Sequence, residues 1–203
     1  MDNDSVRAGA IILRNLRLFD QATLFFERKL DVALSEAVDL HVRSWLDQHG
    51  WRGQTKVTSS FEDLWVCPPA WMESEDDPFA TFELRPQSDK SDSFELADLC
   101  GVGSTHYGFR FVVKHSWFGG KSGWNSALKN LQAQIDAISN AGWISEGRGM
   151  FFRPVQLSPD KLASAWETDD WSGALAPLTT EFEFMAANQK VFDTLIMKAK
   201  PRK

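Results

Sequence analysis

Four residues in a row, Gly119-Gly120-Lys121-Ser122, have the types and spacing that could hold an anion. They fall between a stretch of strand pattern and a stretch of helix pattern. Free backbone N–H groups and the positive end of a helix favour a phosphate-like group at such a place. The stretch ends as a phosphate loop ends, but the full motif has a first glycine with four residues between it and the second. That position holds His115, so the nucleotide motif is incomplete. Lys121 and Ser122 are therefore candidates for binding an occasional phosphate-like group, and Ser122 is also a candidate helix cap. The four histidines, His41, His49, His106 and His115, form no His-Glu-x-x-His motif and no Cys/His cluster. Cys67 and Cys100 lack the Cys-x-x-Cys spacing of a metal framework. No metal site is expected from these residues, and no Gly-x-Ser-x-Gly elbow offers a nucleophile.

A second set lies in the middle of the chain: Asp63, then Glu83 and Arg85 two apart on one strand, with Lys114 on a later strand. The set, and the order helix, antiparallel strands, helix, strand, is similar to the core of the restriction-endonuclease-like nucleases, the PD-D/E-x-K superfamily. That resemblance implies Asp63 and Glu83 as carboxylates holding Mg²⁺, a metal-activated water attacking a phosphodiester, and a basic residue stabilising the charge that develops. The sequence departs from the pattern twice. Glu62-Asp63 stands for Pro-Asp, and Arg85 stands where lysine is required, so Lys114 would have to reach in from a neighbouring strand.

Nine tryptophans and fifteen phenylalanines accompany a single tyrosine. Most such rings belong to a core. Trp65, Trp71, Trp117 and Trp124 fall at strand ends or in loops, where a ring can line a pocket or anchor a partner. The acidic run Glu73, Glu75, Asp76 and Asp77 adjoins Trp71. The net charge of −6 gives no reason to expect duplex DNA, which requires a basic face. Lys198, Lys200, Arg202 and Lys203 make the end of the chain basic, and residues 198–203 read as a frayed tail. With no leader pattern and no Cys framework, the expected setting is the reducing cytoplasm. No apolar run approaches the roughly 18 residues of a membrane span.

The elements that must position these residues follow from periodicity. Apolar residues return every three to four positions over 20–49, and Gly50 supplies a left-handed stop, so this segment is a long helix. Residues 10–19 are apolar but fit strand or helix equally. Strand patterns cover 57–67, 79–85, 94–100 and 105–115. In 79–85, Ala80, Phe82 and Leu84 share one face, and Phe79, Thr81, Glu83 and Arg85 the other. A second helix is expected over 123–141, ended by Gly142, and both helix ends read Gly-Trp. Beyond it come a strand at 150–157, a short helix from Pro159 through Trp166, a loop at 171–177, a strand at 179–184 and a terminal helix at 186–198.

Strands that succeed one another without helices between them pair antiparallel. The expectation is one α+β domain over residues 1–203: an antiparallel sheet of four or more strands with two main amphipathic helices on its apolar face, in two layers. The leading functional expectation is a non-catalytic cytoplasmic binding module. It would meet a protein or small ligand through the mixed sheet face and the loops bearing Trp65, Trp71, Trp117 and Trp124, without a cofactor. The alternative is the nuclease, with Mg²⁺ and a nucleic acid, or an inactive relative of it.

Overall fold

The computed structural model describes residues 3–56, 61–75, 77–88 and 92–200, and of Asp4 and Glu62 the backbone alone. Asp76, residues 57–60 of the expected first strand and residues 201–203 of the basic tail lie outside the described residues.

The chain opens with α1 (Asn3–Arg14) and α2 (Leu16–Phe25), joined at Asn15. A five-residue π turn, Phe26–Leu30, leads without a loop into α3 (Asp31–His49). The strands and later helices are β1 (Arg52–Gln54), β2 (Trp65–Cys67), β3 (Met72–Ser74), β4 (Asp77–Pro78), β5 (Ala80–Pro86), α4 (Glu95–Leu99), β6 (Tyr107–Val113), α5 (Gly120–Leu128), α6 (Gln132–Asn140), β7 (Ile144–Gly147), β8 (Met150–Pro154), α7 (Pro159–Thr168) and α8 (Ser172–Ala199).

Six strands form one antiparallel sheet in the order β1-β2-β5-β6-β8-β7, and β3 with β4 makes a separate ribbon. The fold is α+β in two layers. Register sets the faces. Phe82 lies opposite Phe111, and Phe111 opposite Phe151, while Trp65, Glu83, Arg110 and Phe152 follow one another across the other face. The first face is roofed by α8, whose Phe192 ring lies 5.1 Å from Phe82 and 4.7 Å from Phe111. Its Phe182 reaches Phe109 and, on α3, Trp45. Phe82 is fully buried and meets the rings of Trp51, Trp71, Phe111, Trp143 and Phe192. Truncating such a ring costs about 3–5 kcal/mol.

The two Gly-Trp helix ends share a left-handed glycine and a backbone hydrogen bond from the tryptophan. Gly50 has φ 66° and Gly142 φ 101°. Trp51 N–H donates to Leu46 O at 3.1 Å, and Trp143 N–H to Ile138 O at 3.4 Å, each five residues back. Both indoles then enter the core, and the strands that follow, β1 and β7, are the two outer strands of the sheet.

Residues 10–19, open between strand and helix, are helical on both sides of Asn15. Several elements differ from expectation. The expected strand at 94–100 is the helix α4, with Cys100 N–H closing on Leu96 O. Of the described part of 57–67, Phe61–Asp63 is a 3₁₀ turn and only Trp65–Cys67 is strand. The second helix is two, broken where Leu131 turns out of helical geometry (φ −119°) to bury its side chain. Gly119, not Ser122, caps α5. The expected loop at 171–177 and strand at 179–184 are both part of α8, which runs through Pro177. Among the described residues, no helix is long and apolar enough to cross a membrane.

Candidate functional site

The open sheet face brings together three of the expected residues. Trp65, Glu83 and Lys114, with Thr81 and Val112, line a depression of about 260 Å³. Its charges are paired within the fold. The Glu83 carboxylate accepts from Arg85 Nε at 2.9 Å, Arg85 Nη2 at 2.7 Å and Thr81 Oγ1 at 3.1 Å. Lys114 Nζ donates to Asp77 at 2.5 Å and lies 3.6 Å from Glu73. The Asp77 bond, with both carboxylates nearby, raises the Lys114 pKa. Asp63 closes the 3₁₀ turn next to Leu64, whose carbonyl accepts from Leu84 N–H, so it stands beside the Glu83–Arg85 stretch. The described residues contain no group of three His, Cys, Asp or Glu side chains placed to share a metal ion.

The tryptophans divide. Trp71 and Trp124 are core residues, 1% exposed. Each spends its N–H inside the protein: Trp71 Nε1 on Asp193 Oδ1 at 2.7 Å, Trp124 Nε1 on Arg148 O at 2.9 Å. The reading of these two rings as partly exposed gives way to packing by α8 and by the β7–β8 turn. Trp117 is half-buried, stacked on Phe79 at 4.0 Å, with Lys200 Nζ 4.1 Å above it. Trp65 is half-buried on the open face.

Lys121 and Ser122 are exposed at the start of α5. Lys121 lines a cleft of about 210 Å³ with His115, Asn125 and Arg148. Ser122 does not line it.

A strongly apolar opening lies elsewhere, at residues that sequence pattern did not single out. A groove of about 490 Å³ runs between the long helix, the 94–102 segment and α7. Phe25, Phe26, Leu30 and Leu34 form one wall, Phe94, Leu96, Ala97, Cys100 and Val102 the second, and Leu162, Ala163, Trp166 and Trp171 the third. Edge-to-face packing of Phe25 on Trp166 (5.8 Å) and a tilted Phe26–Phe94 pair (5.2 Å) tie the walls together. Glu167 is the one charged residue lining it among those described.

Local sequence explains each wall. The π turn adds a residue to the helical repeat, so Phe25 and Phe26 both reach the groove side; such turns cluster at functional sites. The second wall hangs on Asp98, buried to 2%, which accepts from Ser93 Oγ at 2.5 Å and Thr105 N–H at 3.1 Å. The third begins at Ser158, whose hydroxyl caps Lys161 N–H, with Pro159 in the first turn. Burial raises the Cys100 thiol pKa at the groove, and that of Cys67, in the core, to about 12. Both are held as thiols rather than nucleophilic thiolates. A signal for the groove was present in the sequence as Phe25-Phe26, one aromatic more than a single helix stripe uses. Its other two walls come from segments about 70 and 135 residues further on, beyond the reach of hydrophobic periodicity, which is a local signal.

No family model, curated protein or solved structure matches the chain.

Proposed function

We propose that this protein is a non-catalytic interaction module of the cytoplasm. Its docking surface is the apolar groove, and the partner it takes is an amphipathic helix with an apolar stripe and a basic flank. The observation that carries this reading is the groove itself: open, walled by aromatic and aliphatic side chains, with Glu167 in its lining. Helix-in-groove recognition uses such a surface, with anchors at i, i+3, i+4 and i+7. Glu167 lines the groove, and Asp160, Asp169 and Asp170 flank it in the sequence, against Lys161 on the same segment and Arg28 and Lys29 on the helix wall; the surplus of acids favours an arginine-bearing flank. Two buried free thiols accord with a reducing compartment.

The mixed sheet face, with Trp65 and Trp117, is a weaker candidate for the same role, because its Glu83 and Lys114 are already paired. The nuclease alternative, with Asp63, Glu83, Arg85 and Lys114 acting on a nucleic acid through Mg²⁺, has less support for the same reason. Arg85 occupies the carboxylate that the metal would need.

The test is fluorescence anisotropy of a labelled amphipathic helical peptide, unrelated to this chain, with a leucine stripe and flanking arginines. The full chain is titrated beside Ala163→Glu, which sets a carboxylate in the groove wall. Saturable binding that weakens at least about tenfold in the variant, with unchanged circular dichroism, is expected, since an unpaired charge in an apolar site is costly. Absent binding, or equal binding by the variant, contradicts the proposal. Cleavage of DNA or RNA with Mg²⁺, lost in Glu83→Ala, would favour the nuclease instead.

A further inference from the structure

The fold buries no described residue of α1 or α2, and Phe25, at the end of α2, packs on Trp166. Among the described residues, none before Leu34 is buried. Ile11, Ile12, Leu13, Leu16, Leu18 and Phe19 stand 41–72% exposed. α1 and α2, about 18 Å and 15 Å long at 1.5 Å per residue, meet at Asn15, which lies outside helical geometry (φ −119°). Monomeric proteins rarely show water a contiguous apolar surface of that extent. A helix so placed is also marginal by itself, because most helical stability comes from packing an apolar face.

Its charge differs in sign from that of the chain. The chain carries a net −6, yet α1 and α2 hold Arg7, Arg14 and Arg17 against Asp4 and Asp20. Asp4 apart, whose side chain is not described, the described residues offer these arginines no ion-pair partner. α1 and α2 therefore offer exposed apolar side chains and three arginines, and the groove an aromatic lining with Glu167 in it.

The helix cannot fill its own groove. It passes into α3 through the π turn with no loop, Asp31 N–H donating to Phe26 O, and Phe25 and Phe26 already belong to the groove wall. It leaves that wall and continues away from it.

We propose that the α1–α2 helix of one copy lies in the groove of a second copy, and the second copy's helix in the groove of the first. The result is a two-fold dimer in which each groove is completed by residues of the other chain. Helix and groove adjoin on one chain, so one two-fold axis satisfies both at once, as an isologous interface requires. The occupied groove buries Phe94, now 65% exposed, and the Ile12, Leu16 and Phe19 side of the helix. This inference rests on the reading of the groove as a helix receptor.

Sedimentation equilibrium of the full chain is the test. Wild type is expected at the mass of two chains. Ile12→Glu with Phe19→Glu, at exposed positions where no core is lost, is expected as a folded monomer, and so is Ala163→Glu. A mixture of the two variants pairs an intact groove with an intact helix and is expected to associate, more weakly than wild type. Wild type that is monomeric across the concentration series overturns the dimer, as does a two-chain mass that survives either variant. The two proposals fail separately: a monomeric wild type that still binds the arginine-bearing peptide overturns the dimer and leaves the groove reading standing.

Discussion

His41 sits where α3 meets α8, half-buried, its Nε2 2.8 Å from Thr179 Oγ1. Burial lowers its pKa below the free value. Below a free value of about 6.5 the unfolded chain takes up a proton that the folded chain resists. Stability contributed by neutral His41 is thus present above that pH and is lost as pH falls through the lowered folded value. His41→Gln is expected to flatten the dependence of urea stability on pH between about 5 and 7. An unchanged slope would assign the dependence to other groups.

The tryptophans mark the limit of residue-scale reading. Type and spacing placed Trp65, Trp71, Trp117 and Trp124 alike, at strand ends and loops. What separates them is a partner far along the chain. Trp71 finds Asp193, 122 positions away, and the buried indole follows from that bond. Likewise, Glu83 and Arg85 were visible as a pair two apart, but nothing in the spacing showed that the guanidinium closes on its own neighbour.

At the scale of elements, the segment 92–105 is the wall most open to test. Gly103 packs against the Asp98 network so closely that an added Cβ would overlap Asp98 Oδ1 and lie 2.6 Å from Ser93 Oγ. Gly103→Ala must therefore push apart the hydrogen bonds of a buried carboxylate. Its expected cost is about 1–3 kcal/mol in urea unfolding, the penalty of leaving such a group unsatisfied. Gly173→Ala is the control: nothing lies within 4 Å of its added Cβ, in the first turn of α8. It is expected to gain up to about 1 kcal/mol from helix propensity. Equal effects at the two sites would remove Asp98 as the support of the wall.

Elements with a strong period were legible: the long helix, the faces of β5 and β6, the Gly-Trp helix ends and the antiparallel pairing. Those misread were decided by tertiary packing. Phe182 and Phe184 alternate as in a strand, and Pro177 reads as a stop. Yet Ala174, Leu175, Leu178, Phe182 and Met185 bury almost completely along one side of α8. That gain exceeds the roughly 3 kcal/mol a proline costs within a helix. The outer strands β1 and β7 were missed because each is three or four mostly polar residues with no period to detect.

At the scale of the whole molecule, the sequence announced a two-layer protein and hid its apolar groove. The groove needs three segments that meet only when the chain is folded, so no local pattern contains it. The exposed helical segment was legible as apolar, but its exposure was not. The proposal of a docking module joins these two features, an apolar cleft and an exposed apolar helical segment. Hydrogen–deuterium exchange at the α1–α2 amides, in concentrated wild type beside concentrated Ala163→Glu, puts that account to its most direct trial. Docked, those amides exchange slowly in wild type and speed up both on dilution and in the variant, while the sheet amides stay unchanged. Fast exchange throughout α1–α2 in both proteins, indifferent to concentration, would contradict it.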